Sequence, residues 1–131
     1  MIFLDSTYLI GLMIDNDDYH KQAHQLRPII DKERKLINNT VLVEVLNSLK
    51  KNNHKIGLDE IMDTLLKLDK VVFLTDEDYN ESLKLFKYYN LSINYSDCTI
   101  LKTMMDNNVS VIVSFDSDFD KINGIRRIYL S

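Results

Sequence analysis

Short runs of β-branched and aliphatic residues alternate along this chain with longer stretches of helical period, and this alternation restricts the fold more than any other feature. A strand-type run that returns after a helix-length connection marks a βαβ unit, whose strands pair in parallel beneath covering helices. Strands are predicted over residues 1–4, 36–38, 71–74, 109–115 and 126–130, and helices over 6–14, 18–31, 40–52, 58–69, 76–89 and 96–106. The expected architecture is α/β, a three-layer α/β/α sandwich with a central, mostly parallel sheet of about five strands, in a single domain over residues 1–131. Val109-Ser-Val-Ile-Val113 suits a strand buried on both faces and is expected near the sheet centre. Pro28 is predicted to end, kink or restart the second helix. Thr75-Asp-Glu-Asp78 has the form of a capping box, and Leu58, Ile61, Leu65 and Leu68 form one apolar stripe. With only 3 glycines and 1 proline, an all-β fold of many tight turns is excluded.

The net charge of −4 argues against binding nucleic acid through a broad basic surface, but not against an enzyme that acts on nucleic acid. Cys98 is the single cysteine, so neither an intramolecular disulfide nor a cysteine-based zinc or iron–sulfur site can form, and a reducing, cytoplasmic setting is expected. No apolar run approaches the ~18 residues of a membrane span, and Met1-Ile-Phe-Leu4 reaches Asp5 before a secretory core could form.

Several acids stand where folding alone would favour another residue. Asp5 directly follows the first strand, and capping the next helix or serving a site are both open to it. Glu44, in Thr40-Val-Leu-Val-Glu-Val-Leu46, is surrounded by apolar neighbours. Its carboxylate is expected to be partly sequestered, at a cost of several kcal/mol unless a cation, a metal or cleft water compensates. A capping box on Thr40 would need its acid at position 43, which is Val. Asp97 opens the helix Ser96-Asp-Cys-Thr-Ile-Leu101, where capping or dipole compensation and function are equally open. Asp116 and Asp118 follow the best strand in Ser114-Phe-Asp-Ser-Asp-Phe-Asp120. This is no calcium-binding EF-hand loop, because Lys121 and Arg127 stand where Gly and Glu are needed. In a parallel sheet, strand ends and helix starts of this kind gather at the carboxyl edge, where ligands bind. Acids so gathered remain ionised by holding a divalent cation, and an all-oxygen donor set favours Mg²⁺ or Mn²⁺.

These segments resemble the PIN-domain family of metal-dependent ribonucleases, especially its small VapC-like members. The match runs through Phe3-Leu-Asp-Ser6, Thr40–Leu46, Tyr95-Ser-Asp-Cys-Thr-Ile100, Ser114–Ile122 and Gly124-Ile-Arg126. The resemblance implies Asp5, Glu44, Asp97 and Asp116 as the acidic catalytic set, Ser6 and Ser114 as supporting hydroxyls, and Asp5, Asp97, Asp116 and Asp118 as metal ligands. It also implies cleavage of RNA, a homodimer, and a toxin role opposed by an antitoxin protein.

Lys50, Lys51, Lys55, Lys121, Arg126 and Arg127 are candidates for holding RNA phosphates, and Tyr88, Tyr89 and Tyr95 for stacking on bases; solvated lysines and helix-face packing are the plain alternatives. His20 and His24 are spaced for a two-histidine metal face, but Asp17 as a cap followed by an exposed helix explains them more simply; His54 reads as loop. Two other functions compete with the nuclease. A phospho-acceptor receiver domain needs paired acids at Asp5 and an acceptor Asp with a later Lys, which are not evident, and a haloacid dehalogenase-type phosphatase needs Asp where Thr7 stands. A catalytically silent binding relative is the other alternative.

Overall fold

The computed structural model describes residues 1–51 and 57–131, so His54 and Lys55 lie outside the described residues. Five strands form one sheet in the order β3-β2-β1-β4-β5: β1 Ile2–Leu4, β2 Lys35–Asn38, β3 Lys70–Val72, β4 Val111–Val113 and β5 Arg126–Ile128. Every neighbouring pair is parallel, so the sheet is wholly and not merely mostly parallel. The helices are α1 Ser6–Met13, α2 His20–Ile30, α3 Asn39–Lys51, α4 Leu58–Leu66, α5 Asp76–Tyr88 and α6 Tyr95–Asp106, with a short 3-10 turn at Ser117–Lys121. The chain runs outward from β1 through β2 to β3 and then back across to β4. With the right-handed crossovers that parallel units adopt, this order sets α1 to α4 on one face and α5 and α6 on the other.

Strand centrality belongs to β1, all three of whose residues are buried. The valine-rich segment forms β4, one place off centre, and its ladder is shorter than predicted because Val109 is used to close α6. Asn108 adopts φ 55°, and the Val109 and Asn108 amides return to the carbonyls of Met104 and Met105. Asn90 ends α5 in the same way, with φ 54° and the Leu91 amide on the Phe86 carbonyl. Asparagine thus takes the left-handed position usually given to glycine, which explains how so few glycines suffice.

The predicted capping box is present, with Asp78 N–H donating to Thr75 Oγ1 and Thr75 N–H to Asp78 Oδ2. Of the α4 stripe, Leu65 is buried and Ile61 and Leu68 pack against the core, while Leu58 is exposed. Pro28 does not end α2 but lies inside its last turns, because only the remaining two residues follow it. Tyr19, not Asp17, occupies the cap position of α2, with no capping hydrogen bond from its side chain; Asp17 accepts the Tyr19 amide within the preceding turn. His20 and His24 are turned to α1, their rings hydrogen-bonded to the carbonyls of Gly11 and Leu12 at 2.8 and 3.1 Å. They serve its C-terminal end and form no metal face. Gly11 lets α2 come close, since a Cβ there would lie 3.2 Å from the Tyr19 carbonyl oxygen and 3.3 Å from Ala23 Cβ.

Asn38, fully buried at the end of β2, joins the two helix layers. Its Oδ1 accepts the Val41 amide and so caps α3, while its Nδ2 donates to Thr103 Oγ1 at 2.9 Å and the Thr99 carbonyl at 3.3 Å on α6. Replacement of Asn38 by Ala removes a helix cap and leaves buried partners unpaired, so unfolding in urea is expected to show a loss of about 2–3 kcal/mol.

Candidate metal centre

The order of the sheet reverses between β1 and β4, and the loops leaving these neighbours diverge into a crevice at the carboxyl edge. Asp5 leaves β1 into it and Asp116 leaves β4. Glu44 reaches it from the second turn of α3, and Asp97 from the first turn of α6, which runs back toward the start of β4. Asp97, Asp116 and Asp118 each place a carboxylate oxygen within 4.8 Å of the others. Asp5 and Glu44 lie outside that trio but near enough for their charges to act on it.

The structure shows which of the capping hydrogen bonds left open by the sequence are made. Asp5 occupies the cap position of α1 yet makes no capping hydrogen bond. Its Oδ2 instead accepts from Ser114 Oγ at 2.6 Å and Thr7 Oγ1 at 2.9 Å. Those two hydroxyls accept in turn from the amides of Asp116 and Phe115, so one carboxylate aligns the whole turn that follows β4. The cap position of α6 is Asn94, which puts Asp97 inside the first turn. Asp97 is 6% exposed, and its Oδ2 has no hydrogen-bond partner among the described residues. Burial chiefly, and then the charges of Asp5, Asp116, Glu44 and Asp118, push its carboxyl up to about 8. Burial also raises Asp5, with Asp116 adding to it and the Ser114 and Thr7 hydroxyls opposing it. Glu44 is raised by burial and by Asp5, against a 3.3 Å hydrogen bond from Ser6 Oγ. Asp116 accepts the Asp118 amide at 2.9 Å, which folds the 3-10 turn and swings Asp118 back toward the trio.

The donor set fits a hard divalent cation: three convergent carboxylates, one with a buried oxygen that nothing else satisfies. Asp118 is shared, since Lys121 Nζ lies 2.9 Å from its Oδ1.

Thr7 is the residue of this hydroxyl network that sequence reasoning missed. Its signal was the second hydroxyl in Asp5-Ser-Thr7, two residues from the acid and therefore able to fold back on it. Among the described candidate cations, Lys121 alone is paired with one of these acids, Asp118. Arg126 starts β5, paired with Val111, at the strand end opposite the site. Lys50 and Lys51 are exposed in the last turn of α3, Lys50 about 9 Å along the axis from Glu44. Arg127 is engaged internally: it clamps Asp120 at 2.8 and 3.0 Å, donates to the Ser114 carbonyl at 3.1 Å and lies 3.7 Å over the Tyr129 ring. Among the tyrosines, Tyr88 is exposed and meets Tyr89 edge-on far from the acids, whereas Tyr95 lies beside them at the start of α6. Cys98 is buried, and its thiol is pushed up to about 11 by burial and by Asp97, as suits a core residue and not a nucleophile.

The PIN domain family profile matches residues 2–125. The chain is 30% identical to "Ribonuclease VapC6" of Methanocaldococcus jannaschii over an alignment of 148 positions that covers 97% of this chain and 95% of the relative. The crystal structure of Mycobacterium tuberculosis VapC20, described as a sarcin-ricin loop cleaving toxin, superposes with a TM-score of 0.80 at 19% identity, covering 92% of this chain and 94% of that one. VapBC2 of Rickettsia felis, solved on a DNA fragment from its promoter, gives 0.68 at 18% identity, covering 98% and 99%. With the profile extending over nearly the whole sequence and the acids gathered where β1 meets β4, the chain belongs to the PIN-domain family.

Proposed function

We propose that this protein is an endoribonuclease that uses Mg²⁺ or Mn²⁺ to hydrolyse phosphodiester bonds in RNA, and that it is the toxin of a toxin–antitoxin pair. The observation that carries the reading is the buried, unpartnered Asp97 oxygen among converging carboxylates, an arrangement that is costly for folding and useful for binding a cation. The ribonuclease name of the archaeal relative and the toxin description of VapC20 support the activity. The antitoxin is supported by the solved toxin–antitoxin complex from Klebsiella pneumoniae, which has the same fold at 18% identity.

In this mechanism Asp97, Asp116 and Asp118 would hold the cation, which would supply charge neutralisation at the phosphate and a more acidic water. Glu44, outside the trio and with its carboxyl raised by burial and by Asp5, would be the group that takes up a proton. Asp5, tied to Ser114 and Thr7, keeps Asp116 and the turn behind it in place. Lys121, paired with Asp118 beside the trio, would be the cation to meet the phosphate.

Three outcomes are expected. Asp5→Asn and Asp97→Asn each abolish Mn²⁺-dependent RNA cleavage while the cooperative thermal transition persists; retained metal-dependent cleavage in both variants would sink the proposal. Calorimetry with Mn²⁺ at 100 times its dissociation constant shows a stabilisation of about 2.7 kcal/mol, and Asp97→Asn removes most of it. The third concerns pH. The Asp97 carboxyl titrates near 8 in the fold against an ordinary 3.8, so between these values the native state holds more protons than the unfolded chain and stability falls as pH rises. The metal-free protein therefore melts at a higher temperature at about pH 6 than at about pH 8.5, while the Mn²⁺-induced shift runs the other way because protons compete with the cation. A metal-free melting temperature independent of pH over this range contradicts the buried, charge-crowded environment assigned to Asp97.

A further inference from the structure

A cleft of about 330 Å³ opens between the first turns of α3 and α6, beside the acidic centre but with a different chemistry. Its walls include Asn39, Thr40, Val43 and Glu44 from the α3 side, and Tyr79 and Tyr95 from α5 and α6. Glu44 belongs to both spaces, and Ser96, next to Asp97 in the chain, lines the cleft as well. A chain molecule whose phosphate reaches the carboxylate trio therefore passes this opening.

Its residues describe what fits there. Among the described residues no lysine or arginine lines the cleft, so a phosphate entering it would meet the Glu44 charge. A flat, uncharged ring meets aromatic and aliphatic walls and a polar rim of amide, hydroxyl and carboxylate groups that can pair with a base edge. The volume lies at the small end of the about 300–1,000 Å³ usual for ligand pockets, which suits one ring system.

The aromatic wall is also held rigid. Tyr95 Oη donates to the Tyr79 carbonyl at 2.8 Å, and its ring meets Phe86 edge-on at 6.0 Å. Asn39 Nδ2 donates to Tyr79 Oη at 3.3 Å, and Asn39 Oδ1 accepts the Leu74 amide at 2.9 Å. Ring positions fixed in advance make stacking less costly in entropy. Val43 is 54% exposed on the helix surface beside a carboxylate, where packing makes little use of it.

We propose that this cleft is a nucleobase subsite: it takes the base of a nucleotide flanking the scissile phosphate, stacks it against Tyr79 and Val43, and pairs its edge with Asn39, Thr40 or Ser96. The proposal rests on the ribonuclease reading and adds to it a specificity-determining surface, with Tyr79 and Val43 as positioning residues that leave the chemistry to the acids.

The test uses the full chain with Mn²⁺ and an oligoribonucleotide spanning a bond that the protein cuts in a randomised RNA pool. Matched oligonucleotides carry a single abasic ribonucleotide at successive positions on either side of that bond. One abasic position is expected to lower kcat/KM by about 5- to 150-fold, mainly through KM. Tyr79→Ala produces a similar loss on the intact oligonucleotide and no further loss on that abasic one, while Tyr79→Phe stays near wild type. Should Tyr79→Ala fail to fold, the exposed Val43→Ser gives the same non-additive pattern with a smaller loss. Losses that multiply independently, or no loss in either variant while Mn²⁺-dependent cleavage by the wild type persists, overturn the subsite and leave the nuclease standing. Absence of any Mn²⁺-dependent cleavage of the pool overturns the nuclease reading and the subsite with it.

Discussion

The pairing of β1 with β4 is the contact on which the rest of this structure depends. Phe3 aligns with Ile112 and Leu4 with Val113, and the Asp5 amide donates to the Val113 carbonyl at 3.0 Å. These few bonds set the middle of the sheet, fix the point at which the strand order reverses, and open the crevice between the two departing loops. They also settle the register in which Asp5 faces Ser114. A slip of one residue would turn Asp5 to the other face of the sheet and dissolve the hydroxyl network that aligns Asp116. Burial of Phe3, Leu4, Ile112 and Val113 supplies the apolar drive that holds like charges close together one step further along.

How much of this could be read from the sequence depended on whether the governing interaction was local. All five strands and six helices were legible, because the periods of two and 3.6 are set within each segment, and the Thr75–Asp78 box is closed within four residues. The strand order was not: β4 lies next to the centre, as its β-branched run implied, but β1 holds the centre itself, since centrality follows from which strands pair. The acidic residues were legible as residues out of place, but the exclusion of capping needed coordinates. The free oxygen of Asp97 and the hydroxyl partners of Asp5 decide that question, and those partners lie across the fold. Thr7 and Arg127 were misjudged for the same reason. Thr7 reaches Phe115 and Arg127 reaches Asp120 and Ser114, contacts that no helical or strand period announces.

Charge is distributed unevenly in a way that the net value conceals. Of the 20 acidic residues, five are gathered at this one edge, which leaves 15 against 16 lysines and arginines over everything else. Arg127 is spent inside the fold and Lys121 is paired with Asp118, so the crevice carries a concentrated negative field with little internal compensation. Such a field is hostile to a polyanion and attractive to a cation.

The span of the β1–β4 contact bears on the life of the chain during synthesis. Ser114 and Asp5, bonded at 2.6 Å in the fold, are 109 residues apart in sequence. At the usual elongation rates of about 5–20 residues per second, the first acid waits on the order of 5–20 s for the segment that completes its surroundings. Throughout that interval the nascent chain contains Asp5, then Glu44, then Asp97, but no crevice. Whatever chemistry the edge performs is withheld until β4 has been made and the sheet closes.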